Sequence, residues 1–171
     1  IIYIDDGSQD DTLDKLEKIS ITNKSIKIIS FSRNFGHQIA LSAGIDYVSK
    51  DIVILMDGDL QDPPELIPDL INKINQNYNV VYGIRKKRKE NFVKKICYFL
   101  FYRFLTSISN ISIPIDSGDF SALDKTAISH LKNFPEKNKY IRGIRSWIGF
   151  KQISFEYERE ARYEGAPKYN F

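Results

Sequence analysis

The chain has 171 residues, of which 42% are hydrophobic and 27% charged; these values suit one globular domain with a real core and exclude a disordered or fibrous chain. Twenty-five Lys and Arg against 22 Asp and Glu leave a net charge of +3, too little to point to nucleic acid. The single Cys97 permits no internal disulfide, fits a reducing compartment and excludes a cysteine-rich zinc module, and no apolar run reaches the roughly 18 to 20 residues of a membrane-spanning helix.

In chain order, short apolar runs alternate with amphipathic stretches. Strands are predicted over 1–4, 26–31, 52–56 and 80–82, with helices over 13–19, 37–48 and 65–74. Continuous apolar strands alternating with helices predict an α/β fold, a mostly parallel sheet covered by helices on both sides. Asp62-Pro63-Pro64 reads as an acidic N-cap with prolines in the first turn of the third helix. Seven of the eleven residues over 85–95 are basic. They lead into the aromatic and aliphatic stretch 92–105, read as one helix that either packs on the sheet or lies at a membrane surface beside anionic headgroups. Residues 116–120 read as a turn-rich loop entering a short strand. Helices near 125–133 and 139–148, a strand over 152–157 and a basic, glycine-containing tail follow. No repeat, low-complexity segment or domain-splitting linker is visible. The chain opens on Ile1-Ile2-Tyr3-Ile4 without Met and closes on Tyr169-Asn170-Phe171, and is expected to be an internal piece of a longer polypeptide.

Ligands of parallel α/β sheets bind beyond the carboxyl ends of the strands, and two acidic segments stand there. Asp57 and Asp59 flank Gly58 after one apolar strand, within reach of a single hard cation such as Mg2+ or Mn2+; Gln61 can add a carbonyl oxygen or a water bridge. Asp5 and Asp6 need no metal. They can accept hydrogen bonds from a nucleobase imide or a ribose hydroxyl, or serve the turn while Asp11 or Thr12 caps the next helix. Neither a dinucleotide glycine motif nor a phosphate-binding P-loop is present. His37 and His130 are too distant in sequence for a zinc pair and read as surface or packing residues, although His37 follows Arg33-Asn34-Phe35-Gly36 at a strand end and could line the pocket.

Together these blocks carry a resemblance. Asp5-Asp6-Gly7-Ser8, Ser32-Arg33-Asn34-Phe35-Gly36, the run from Met56 to Leu66, Val81-Tyr82-Gly83-Ile84-Arg85, Ser117-Gly118-Asp119-Phe120, Tyr140-Ile141-Arg142-Gly143, Trp147-Ile148-Gly149-Phe150 and the block from Arg162 to Tyr169 resemble, in order and over essentially the whole chain, the family 2 glycosyltransferases of the A-type nucleotide-sugar fold. Within that family they are most similar to the dolichyl- and undecaprenyl-phosphate sugar transferases. The chain departs from the pattern where Pro167 replaces the closing motif's Ser, and the family's first strand and membrane helices would lie outside 1–171.

The resemblance implies a single catalytic domain over 1–171, truncated at both ends. It implies inverting attack by a polyprenyl phosphate on a UDP- or GDP-sugar at the cytoplasmic face of a membrane, with no nucleic-acid partner and a possible homo-oligomer. Asp57, Asp59 and Gln61 would hold Mg2+ or Mn2+, and Asp5, Asp6 and Arg33 would contact the nucleotide together with Asp57. Arg162 and Lys168 would clamp the diphosphate. Asp119 matches the general-base candidate, and Arg85, Arg88, Arg142 and Ser117 would meet the acceptor phosphate. Three other enzyme readings share some of these residues: a haloacid-dehalogenase-like phosphatase, disfavoured by Gln61 and by the order of the acidic pairs; a processive synthase, which lacks its Gln-x-x-Arg-Trp here; and a family 2 enzyme acting on a glycan acceptor. A catalytically silent nucleotide-sugar-binding domain is the non-enzymatic alternative.

Overall fold

The computed structural model describes residues 1–85, 103 and 117–158. Most of the basic stretch with Arg88, the apolar segment apart from an exposed Arg103, Cys97, and the closing block with Arg162 and Lys168 lie outside the described residues.

The elements run β1 (Ile2–Asp5), α1 (Thr12–Thr22), β2 (Lys27–Ser30), α2 (His37–Tyr47), β3 (Ile52–Leu55), a 3-10 turn (Pro64–Leu66), α3 (Ile67–Asn75), β4 (Val80–Arg85), β5 (Ser117–Asp124), α4 (Lys125–Lys132), α5 (Ile141–Trp147) and β6 (Gln152–Tyr157). Strands β1 and β2 pair in parallel as a two-stranded sheet. The other four form a sheet in the order β3-β5-β4-β6. Within it β3, β4 and β6 share one direction, and β5 alone runs against them. The fold is therefore α/β with mostly parallel strands, as the alternating pattern predicts, plus one reversed strand. Residues 116–120 had no strand signal beyond a short run to follow, yet β5 begins at Ser117 and is buried over seven of its eight positions.

Both faces of the larger sheet are covered, as continuous apolar strands require. Val53, Leu55, Val80 and Leu123 point toward Ile45 of α2, Ala127, Ile128 and Leu131 of α4, and Ile141 and Ile144 of α5. Val81, Phe120 and Ala122 point the other way, onto Leu70 and Ile74 of α3 and onto Tyr157. The alternation of Val80 with Val81 and of Leu123 with Ala122 thus splits one strand's residues between two cores.

Asp62 does not cap the helix as its sequence suggests. Pro63 occupies that position without a side-chain cap, while Asp62, 1% exposed, accepts a hydrogen bond of 2.5 Å from the Tyr157 hydroxyl across the sheet. Pro68 does sit in the first turn of α3, where its missing N–H costs nothing. At the start of α1 the Thr12 N–H is met by the carboxylate of Asp10, while Asp11 occupies the cap position with no side-chain cap bond. Among the described residues no helix is long and apolar enough to cross a membrane.

Candidate active site

The loops after β1 and β2 are held together by the two leading aspartates. Asp5 is buried and accepts from the Ser8 N–H at 3.2 Å and from the Ser30 hydroxyl at 3.1 Å, tying the ends of β1 and β2. Asp6 accepts from the Phe35 N–H at 2.7 Å and the Gly36 N–H at 3.0 Å. Gly7, at φ +69°, lets these loops touch, because a Cβ there would lie 2.4 Å from the Arg33 carbonyl carbon. Arg33 is exposed, with its guanidinium 4.0 Å from the Phe35 ring centroid.

The second mouth is built differently. Asp57 follows β3, and Asp119 enters β5 inside an irregularity, since the β4–β5 register shifts between the Tyr82 and Ile84 pairings. Such a bulge re-aims a side chain that a regular ladder would fix. His37, the first residue of α2, brings Nε2 to 3.1 Å from Asp119 Oδ2 and 3.8 Å from Asp57 Oδ1. Arg142, from α5, donates to the same Asp119 oxygen at 3.0 Å. Two helices distant in sequence, α2 and α5, therefore converge on one carboxylate.

The charges answer one another. Burial, the largest influence on Asp119, would raise its carboxyl, but the His37 hydrogen bond and the charge and hydrogen bond of Arg142 together bring it down to about 2. Asp119 is thus an anion at neutral pH. The same hydrogen bond raises His37 above its ordinary value against the effect of burial. Asp57 is raised, first by burial and then by the carboxylates of Asp62, Asp119 and Asp59, with His37 pulling the other way. Oxygens of the kind that Asp57, Asp59 and Gln61 carry are those a hard divalent cation takes as ligands. Asp59 accepts from the Gln61 N–H at 3.1 Å, which closes the turn between them. Among the described residues no group of three or more His, Cys, Asp or Glu is placed to hold a metal by itself; two carboxylates would leave room in the shell for water and phosphate oxygens.

Of the residues singled out in the sequence, Asp57, Asp119 and Arg142 are brought to one cluster. Arg85 ends β4 with its guanidinium against Gly118, where a Cβ would lie 3.1 Å from Nη2, and Ser117 is the buried first residue of β5. Asp5, Asp6 and Arg33 engage the loops after β1 and β2 instead. In the sequence His37 reads as a surface or packing residue that could line the pocket, and Arg145 carries no assigned role. His37 carried one signal, its place after a strand end; Arg145 carried only its spacing of three from Arg142, which puts both on one helix face.

Comparison with known proteins completes the picture. The sequence profile of Glycosyl transferase family 2 matches residues 1–132. The chain is 46% identical over 170 residues to the "Uncharacterized glycosyltransferase YkcC" of Bacillus subtilis (strain 168), covering 99% of this chain and 53% of that protein. It is 36% identical over 171 residues to the "Prophage bactoprenol glucosyl transferase homolog" of Escherichia coli (strain K12), covering 99% and 56%. It spans about half the length of these curated relatives. Among solved structures, the mannosyltransferase PcManGT from Pyrobaculum calidifontis in complex with GDP-Man and Mn2+ aligns with a TM-score of 0.60 at 16% identity, over 91% of this chain and 45% of that one. Glucosyl-3-phosphoglycerate synthase from Mycobacterium tuberculosis aligns with a TM-score of 0.61 at 19% identity, over 96% and 61%. These two show that the fold is the A-type glycosyltransferase fold, and the profile match, extending from Ile1 through α4 and so across both acidic mouths, establishes that the chain belongs to glycosyl transferase family 2.

Proposed function

We propose that the protein transfers a hexose, with inversion, from a UDP- or GDP-sugar to the phosphate of a polyprenyl lipid at the cytoplasmic face of a membrane. The observation that carries this reading is the convergence of His37 and Arg142 on Asp119, with Asp57 on the other side of the His37 ring nitrogen at the carboxyl end of β3, and similarity to a protein named as a bactoprenol glucosyl transferase homolog supports the lipid acceptor.

Asp57 and Asp59, with Gln61 assisting, would hold Mg2+ or Mn2+, which when bound supplies positive charge to the departing diphosphate. Asp119, with its carboxyl near 2, is a weak base. The acceptor does not require a strong one: a phosphate monoester has a second pKa near ~6 and is largely dianionic at pH 7. Asp119 therefore acts as a fixed anion that orients the acceptor's partners and stabilises positive charge developing on the sugar ring. Arg142, already bound to that anion, and Arg85 present planar forks suited to phosphate oxygens, and Ser117, at the start of β5, would add its hydroxyl. Asp5, Asp6 and Arg33 belong to the nucleotide end, and Arg162 and Lys168 would close over the diphosphate.

The test is transfer of labelled sugar by the full-length protein, offered UDP-glucose and GDP-mannose with undecaprenyl or dolichyl phosphate, with and without a chelator. Chelator-sensitive formation of a lipid-linked sugar is expected. Transfer only to a glycan acceptor, or donor binding with no transfer, would contradict the reading.

A further inference from the structure

Arg145 is the largest fully buried side chain of the described residues, at 1% exposure, and the reaction outlined above makes no use of it. It stands on α5 three positions after Arg142, so both guanidinium groups project from one face toward the start of β5. Arg142 takes the Asp119 carboxylate, while Arg145 Nη1 donates to the Gly118 carbonyl at 3.2 Å. That carbonyl lies in the irregular part of the β4–β5 pairing, where the ladder does not itself supply every donor. The Tyr82 ring lies 5.3 Å from the Arg145 guanidinium, and the Gln152 side chain donates to the Arg145 carbonyl at 2.8 Å, fixing the helix at this residue.

Stability alone does not account for a guanidinium at this place. Nε and Nη2 of Arg145 are buried without a hydrogen-bond partner, and burial pulls the group down to about 10 although the Asp119 charge favours its cationic form. An apolar side chain of similar volume would avoid that desolvation. What only the cation provides is a donor on the peptide that carries Asp119, and positive charge behind it.

We propose that Arg145 is a positioning residue, holding the Asp119 carboxylate toward His37 and Arg142 through the Gly118 carbonyl. This rests on the sugar-transfer reading for its catalytic consequence, but not for its structural one. A shift of about 1 Å in a reacting group can lower turnover on the order of 100-fold.

The experiment compares Arg145→Met and Arg145→Lys in the full-length protein. Arg145→Met is expected to lower kcat on the order of 100-fold, with KM for the sugar donor unchanged and at most a modest fall in Tm, since the buried Gly118 carbonyl loses its donor. Arg145→Lys, which keeps the charge, is expected to recover part of the kcat. In parallel, the Asp119 carboxyl and His37 imidazole resonances should move in Arg145→Met and return part of the way in Arg145→Lys. Unmoved resonances, wild-type kcat in Arg145→Met, or a fall in Tm matching the loss of activity in both variants would overturn the proposal. If the wild-type protein transfers no sugar, the functional reading fails, while the resonances still decide whether Arg145 holds Asp119.

Discussion

The two acidic mouths of this fold look alike in sequence, each a strand of apolar residues ending in paired aspartates, and differ in what the carboxylates do. After β1, Asp5 and Asp6 accept hydrogen bonds from Ser8, Ser30, Phe35 and Gly36, so their negative charge is met by backbone N–H groups and a hydroxyl. After β3, Asp57 has other carboxylates for neighbours and is raised by burial and by them, while the nearby Asp119 is matched by His37 and Arg142. The first arrangement holds loops in place. The second stores an electrostatic demand, which a cation and a substrate would meet.

The largest expected effect comes from removing the anion at the second mouth. Asp119→Asn should lower kcat on the order of 1000-fold, the range seen when a preorganised charge is lost, with donor affinity preserved in a binding titration. It also has a pH signature. Because the folded carboxyl lies near 2, below its ordinary 3.8, the wild-type protein gains about 2 kcal/mol above pH 4 and loses it as pH falls toward 2. Acid unfolding curves of the wild type and Asp119→Asn should therefore converge over that window.

Asp57→Asn sharpens the contrast in the other direction. Its folded carboxyl is raised, so at neutral pH the ionised group works against the fold, and the amide should leave Tm unchanged or higher. Metal-dependent nucleotide binding should nevertheless be lost. At the first mouth the order reverses: Asp5→Ala leaves the Ser8 N–H and Ser30 hydroxyl without their acceptor and should cost about 1 to 3 kcal/mol by denaturant unfolding. The smallest effect belongs to the exposed pair Lys15–Asp11, 3.0 Å apart on α1; Asp11→Asn should change stability by about 0.5 kcal/mol or less.

Much of this was legible in the residues themselves. The strand over 152–157 is found with those bounds, and α2 begins at His37 as its pattern predicts. The β5 entry was not legible, because Ser117-Gly118-Asp119 carries turn residues: Gly118 is small because the Arg85 guanidinium lies against it, and burial comes from partners more than 30 residues away in sequence. Asp62 resembles a helix cap in sequence for the same reason. Its partner is Tyr157, 95 positions later, and no local pattern announces it. The pairing of His37 with Asp119 is likewise a product of topology, with 82 positions between them.

On the proposed function, the mouth after β3, and not the one after β1, is where the cation and the reacting diphosphate would meet. Anomalous scattering from crystals of the full-length protein grown with Mn2+ and a nucleoside diphosphate tests it directly. A manganese peak bounded by Asp57 and Asp59, on the side facing Asp119, is the predicted result. A peak at Asp5 and Asp6, with Asp57 and Asp59 bare, would contradict the account.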